Sequence, residues 1–145
     1  YHETMAKYET RLNDQAEGRS VALAAVCGGN AAGYVNVYFN ARGGPFAGAG
    51  CCEIVDFGVL EKYRRRGIGG KLMNAAEAIA FSKADAVCLG VGLHSGYGSA
   101  QRMYVKRGYV PDGSGVWYGD KICEPYAPCR NDDELVLYLS KKAGG

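Results

Sequence analysis

The segment Arg64-Arg65-Arg66-Gly67-Ile68-Gly69-Gly70 puts three consecutive guanidinium groups and three glycines into one turn. An apolar run, Val55 to Leu60, leads into it, and helix formers from Lys71 leave it. A helix that starts on such a turn presents unpaired backbone N–H groups at the positive end of its dipole, and glycine lets a ligand come close to them. The chemistry is anion binding, and the natural guest is a phosphorylated cofactor. The remaining reactive groups form no comparable constellation. The six cysteines show no zinc or disulfide-scaffold spacing, and there are only two histidines. Cys51 and Cys52 are adjacent, so in a strand they point to opposite faces and cannot grip one ion together. Cys123 and Cys129 flank Glu-Pro-Tyr-Ala-Pro and are close enough in sequence to pair. No metal is expected.

Stepping outward to the elements, Met5 to Gln15 carries Met5, Tyr8 and Leu12 at helical spacing, with Gly18 as a stop. Ser20–Cys27 and Ala32–Asn40 are apolar runs around Gly28-Gly29-Asn30, which predicts an antiparallel hairpin. Cys52–Val59 reads as a central strand, Gly67–Phe81 as a helix and Ala86–Val91 as a short buried strand, parallel because a helical crossover precedes it. Ser99–Lys106 is a second helix ended by Gly108, and Val116–Tyr118 and Leu135–Leu139 are later strands. The Arg42–Gly50 and Gly119–Asp133 segments are long loops. The order predicts an α/β (α+β) fold with a mixed sheet and a parallel pair near its centre.

With 145 residues, 48% hydrophobic and 22% charged, the chain predicts one globular domain over 1–145. A net charge of +2 does not predict nucleic-acid binding. No apolar run is long enough to span a membrane and no signal peptide is present, so a cytoplasmic protein with reduced cysteines is expected.

Two nucleotide motifs fail at the turn. Gly70-Lys71 is followed by Leu72 where a P-loop needs Ser or Thr, and a dinucleotide fingerprint begun at Gly67 and Gly69 meets Leu72 where it needs glycine. What fits is Arg64-x-x-Gly67-x-Gly69, which resembles the acetyl-CoA signature of the Gcn5-related N-acetyltransferases (GNAT). A second block, Ser99-Ala-Gln-Arg-Met-Tyr-Val-Lys-Arg-Gly-Tyr109, is similar to that family's AxxxYxxxGF run. The resemblance covers roughly Ser20 to Tyr109. It implies a GNAT-like, mostly antiparallel twisted sheet with a central splayed parallel strand pair and flanking helices. It also implies acetyl-CoA as co-substrate and transfer of its acetyl group to a primary amine.

The resemblance carries residue roles with it. Val59, Leu60, Arg64, Arg65, Arg66, Gly67, Ile68, Gly69 and Gly70 would bind the cofactor, with the backbone N–H of Val59 or Leu60 polarising the thioester carbonyl and Gly58 as the place of a strand bulge. Glu53 matches a general base, and its neighbours Cys52 and Ile54 would keep it partly desolvated. Asp56 is a competing base, or the partner of the substrate ammonium. Tyr104 matches the tyrosine that protonates the CoA sulfur. The family asparagine before the second block is Tyr97 here, which removes one expected CoA contact. Tyr34, Tyr38 and His94 are expected at the acceptor, a small-molecule amine. Family members begin with a strand; it is expected to be missing here, and the open sheet edge left behind suggests a homodimer. The alternative is a non-catalytic acyl-CoA-binding or sensing module.

Overall fold

The computed structural model describes residues 2–144, so Tyr1 lies outside the described residues. Helix α1 (His2–Ala16) leads into β1 (Ser20–Cys27), β2 (Asn30–Tyr38) and β3 (Cys52–Val59). Helix α2 (Ile68–Phe81), β4 (Ala86–Gly92) and α3 (Gly98–Lys106) follow, then β5 (Val110–Tyr118), β6 (Lys121–Ile122) and β7 (Leu135–Lys142). The strands form one seven-stranded sheet in the order β1-β2-β3-β4-β7-β5-β6. All neighbours are antiparallel except β3 and β4.

Alternation along the strands assigns the two faces. Val35 and Val37 of β2, Cys52 and Ile54 of β3, and Val87, Leu89 and Val91 of β4 point to one face. There they bury Leu72, Met73, Ala76 and Ala80 of α2 and Tyr104 of α3. The alternate positions face α1, where Tyr38 of β2 hydrogen-bonds Arg11 and Asp14. Under α2 the core is dense: Met73, Ala76, Ala80, Val35 and Val37 have no exposed surface. Truncating such a side chain to alanine costs about 2–5 kcal/mol.

A buried polar cluster fixes α2 to the rest. Glu77 accepts hydrogen bonds from Arg107 Nε (3.1 Å), Lys141 Nζ (2.9 Å) and Tyr109 Oη (2.9 Å). Burial alone would push its carboxyl up, but these donors outweigh burial and hold it below the usual range. The helix that starts at the basic turn is thereby tied to the end of α3 and to β7.

The parallel pair is the feature that makes a site. Only Cys52↔Val87 and Glu53↔Cys88 are paired. Beyond them β3 stays with β2, β4 stays with β7, and the two strands diverge. The bulge lies at Asp56–Phe57 rather than at Gly58: the β2–β3 register jumps from Asn36↔Val55 to Tyr34↔Gly58, and Asp56 takes a left-handed φ of 56°. An extra residue there reverses the facing of the rest of β3. Asp56 therefore lies on the α1 face with Glu53. Phe57 and Val59 turn to the α2 face, each near the place a Cβ on Gly69 would take.

Element limits differ modestly from the sequence pattern. The strand expected from Val116 begins at Val110, because an irregular Asp112–Gly115 stretch interrupts its alternation without ending it. The long loop after Tyr118 contains the short strand β6.

Candidate active site

The groove on the α2–α3 face of the opened strands has a volume of about 630 Å³. Its floor is Phe57, Gly58 and Val59; one wall is Tyr63, Arg64, Arg65, Gly67, Ile68 and Gly69; the other is Gly96, Tyr97, Ser99, Ala100 and Met103. Tyr34 closes one end. The N-cap of α2 is Gly67, at φ 76° and ψ 8°, and no side chain caps the helix. The first amides of α2 thus stay available, and the left-handed turn that aims them favours glycine. A Cβ on Gly67 or Gly70 would meet nothing within 4 Å, so the approach to these amides is open. This cradle suits a pyrophosphate.

Backbone direction at the strand end is equally specific. The N–H of Leu60 donates to the carbonyl of Ala32 at 2.8 Å, which removes it as a donor for a ligand. In an alternating antiparallel ladder, the neighbouring pair Gly33↔Val59 is then a non-hydrogen-bonded one. The N–H of Val59 consequently points away from β2, into the gap left by β4. Val59 is the free donor of the two candidates.

The remaining cofactor candidates divide. Arg64 and Arg65 line the groove, whereas Leu60, Arg66 and Gly70 do not. Arg66 instead lies over the Tyr63 ring, 5.5 Å from its centroid, and donates to Cys27 Sγ at 3.9 Å.

Glu53 stands at the apex of the splay, paired with Tyr38 on one side and Cys88 on the other. It is 9% exposed, and its Oε1 accepts the Arg42 N–H at 3.2 Å with Arg42 Nε 3.5 Å away. Arg42 in turn stacks 4.4 Å over the Tyr38 ring. Asp56 is bound by Arg11 and by Lys7 (3.7 Å) of α1, so it is held as an ion-pair partner rather than as a free base. Tyr38 is part of the same cluster, donating to Asp14 and accepting from Arg11.

Tyr104 is 6% exposed and packs edge-on to Phe57, centroid to centroid 6.2 Å. Burial pushes its phenol up to about 12. It stands behind the groove wall and not on it. Tyr97, where the family pattern has asparagine, lies over Gly92 and leaves no room for a Cβ there. Its hydroxyl donates to Asp133 at 3.0 Å, and the same Asp133 oxygen is 2.8 Å from His94 Nε2. Since His94 Nδ1 accepts the Gly96 N–H, Nε2 is the nitrogen that donates to Asp133 in the neutral ring. The His94 and Tyr97 bonds hold the Asp133 carboxyl below its usual range.

The sequence profile of the acetyltransferase (GNAT) family matches residues 1–109. The chain belongs to that family. Solved structures agree on the fold. A GNAT family acetyltransferase from Elizabethkingia anophelis with acetyl-CoA bound is 20% identical over 90% of this chain and 81% of that one, with a TM-score of 0.62. A Bacillus subtilis acetyltransferase in complex with CoA is 21% identical over 90% and 82%, at 0.63. Ard1 from Thermoplasma volcanium is 20% identical over 94% and 78%, at 0.67. No curated protein matches the sequence. The GNAT co-substrate is acetyl-CoA, and the uncapped α2 terminus beside an open groove fits it. Among the described residues no helix is long and apolar enough to cross a membrane, and no group of three or more His, Cys, Asp and Glu could hold a metal ion.

Several residues of this GNAT site were not legible as such. Tyr34, expected at the acceptor, also lines the groove, with its ring against Gly58. Asp133 was one acid among many until His94 and Tyr97 converged on it. Arg11 and Arg42 carried no local signal, because their partners Asp56 and Glu53 come from other elements.

Proposed function

We propose that this protein transfers the acetyl group of acetyl-CoA to a primary amine of a small molecule, directly, with donor and acceptor bound together. The observation that carries the reading is the divergence of β3 and β4, with the Val59 N–H aimed into the gap and Glu53 at its apex. Bound there, acetyl-CoA supplies an activated thioester whose carbon–sulfur bond gives way to a carbon–nitrogen bond. The α2 amides with Arg64 and Arg65 would hold its phosphates, and the Val59 N–H would be the donor to its carbonyl oxygen. Glu53 takes the proton that the ammonium must lose, through water if the amine stays in the gap. Tyr104 stays protonated over the working pH range and supplies the proton of the departing sulfur, a thiol with a pKa near ~8.5 in water.

A covalent acetyl-cysteine route is disfavoured by the same physics. Burial raises both Cys52 and Cys88, which keeps them as thiols and poor nucleophiles. A second reading, a non-catalytic acyl-CoA-binding module, draws support from Glu53 being already engaged by Arg42 and Tyr104 standing off the groove wall. Calorimetry with acetyl-CoA, followed by an amine screen with a thiol-reactive dye, separates the readings. Saturable binding with thiol release supports transfer, binding without release for any amine leaves the module, and no binding at millimolar ligand removes both. We also propose that Ser20–Cys27, at the sheet edge, pairs with a second copy; a clean monomer in size-exclusion chromatography would count against it.

A further inference from the structure

A second cavity, of about 380 Å³, lies on the opposite face of the sheet between α1 and the β1–β2 hairpin. Its walls are Tyr8 and Leu12 of α1 and the small side chains Ala22 and Ala24 of β1, and Tyr34 and Asn36 of β2 complete it. Most of this lining is apolar. Yet Asn36, 7% exposed, has an Oδ1 with no hydrogen-bond partner among the described residues. A buried amide oxygen left dry costs about 1–3 kcal/mol, and the flanking strand partners Ala22 and Val55 offer it no side-chain donor. The oxygen is closed to water while the cavity is empty, so a guest with one N–H or O–H removes that cost by turning the amide toward itself.

Position links the cavity to the reaction. Tyr34 belongs to both this cavity and the acyl-donor groove, with its ring against Gly58. Asn36 lies two residues along β2 from Tyr34, a rise of about 6.6 Å in a strand. Charge narrows the guest further. At the mouth, Lys7 and Arg11 face the single carboxylate of Asp56, which both already neutralise. A ligand with several positive charges would meet an excess of like charge there.

We propose that this cavity takes the tail of the acceptor amine, a compact apolar group carrying one hydrogen-bond donor, such as the indole of tryptamine or the phenol of tyramine. The amine nitrogen reaches past Tyr34 to the opened strands while the tail donor meets Asn36 Oδ1. This rests on the transferase reading for its function, but not for its binding. At about 380 Å³ the cavity is near the small end of sites that hold organic ligands, so a ring fits and a long chain does not.

The test compares tryptamine, 1-methyltryptamine (which lacks the ring N–H), methylamine and spermidine. Tryptamine should have a KM at least ~10-fold below that of 1-methyltryptamine, about 1.4 kcal/mol for one hydrogen bond. Asn36→Leu should erase that difference. Ala22→Phe, which fills the cavity, should lower the selectivity for tryptamine over methylamine ~10-fold or more, and it keeps the proposal testable if the first variant does not fold. Equal KM values for the two tryptamines, spermidine as the preferred acceptor, or selectivity untouched by Ala22→Phe would each overturn the proposal while leaving transfer intact. Calorimetry of tryptamine on the CoA-saturated protein covers the converse. Binding lost in Ala22→Phe, with no amine acetylated, supports the cavity and removes the transferase reading.

Discussion

The two sides of the opened strand pair are built from different materials. On the acyl-donor side the recognising groups are mainly backbone, the uncapped amides of α2 and the Val59 N–H, with Arg64 and Arg65 beside them. On the acceptor side they are side chains engaged in ion pairs drawn from separate elements: Glu53 with Arg42, and Asp56 with Arg11 and Lys7. Backbone recognition needs only a turn of a given shape, which a short run of residues specifies. Side-chain recognition needs partners that the fold alone brings together. The donor side is therefore specified by a short local motif, while the acceptor side depends on contacts that only the fold assembles.

The sharpest way to break that contrast is Gly67→Val. A β-branched residue at φ 76° costs about 1–2 kcal/mol of backbone strain and stands before the α2 amides. CoA affinity should fall ~1,000-fold, about 4 kcal/mol, as read by calorimetry. Gly18→Val is the matched control, since Gly18 has φ 78° and equally open surroundings at the end of α1. It should lose comparable stability with CoA affinity unchanged. Equal losses of affinity would mean that the turn matters through folding alone.

Glu77 probes the foundation of the donor side. Glu77→Gln leaves Arg107 and Lys141 buried without their carboxylate, and breaking such a cluster costs about 3 kcal/mol of stability. The wild-type carboxyl is depressed on folding, so its contribution is present above the ordinary value of 4.5 and is lost as pH falls through the lower folded value. Melting curves between pH 7 and 3 should show wild-type Tm dropping below about pH 4.5, with a shallower drop in Glu77→Gln. Parallel curves would assign the acid sensitivity elsewhere. The Asp133 contacts with His94 and Tyr97, with a carboxylate 75% exposed, provide no anchor of this kind.

What was legible in the sequence follows the same division. The Arg64–Gly70 turn and the Ser99–Tyr109 block are local, and they located the cradle, helices α2 and α3 and the central strands. The splay was expected, but its bulge was assigned to Gly58 because glycine is the usual mark of irregular strand geometry. Asp56 takes the left-handed position instead, with its carboxylate held by Lys7 and Arg11 far away in sequence. The same long-range pairing kept Arg42 and Asp133 from view. Leu60 was a reasonable donor until Ala32 took its N–H, a fact of register that composition does not encode.

Glu53→Gln tests whether the apex carboxylate does chemistry or only binds Arg42. As a base it should cost about 100-fold in kcat, about 2.7 kcal/mol, with CoA affinity unchanged and the loss most pronounced at low pH, where a solvent base is scarcest. Glutamine keeps the oxygen that accepts the Arg42 N–H, so a purely structural role predicts a full rate. An unchanged kcat would move proton removal to water, since Asp56 is already committed to two cations.

Tyr104→Phe carries the smallest expected effect and the finest distinction. The ring keeps its packing against Phe57 and Tyr109, so the melting temperature should hold when the hydroxyl is removed. If the phenol hydrogen-bonds the departing sulfur, kcat falls about 10-fold, about 1.4 kcal/mol, while CoA affinity stays. With a pKa near 12, the group does not ionise between pH 6 and 10 in the free enzyme, so it should leave no break in the kcat/KM profile there. A break that disappears in Tyr104→Phe would show that the phenol is less buried during turnover than at rest. A full rate in the variant would return Tyr104 to the core, and would leave the sulfur to take its proton from water in the open groove.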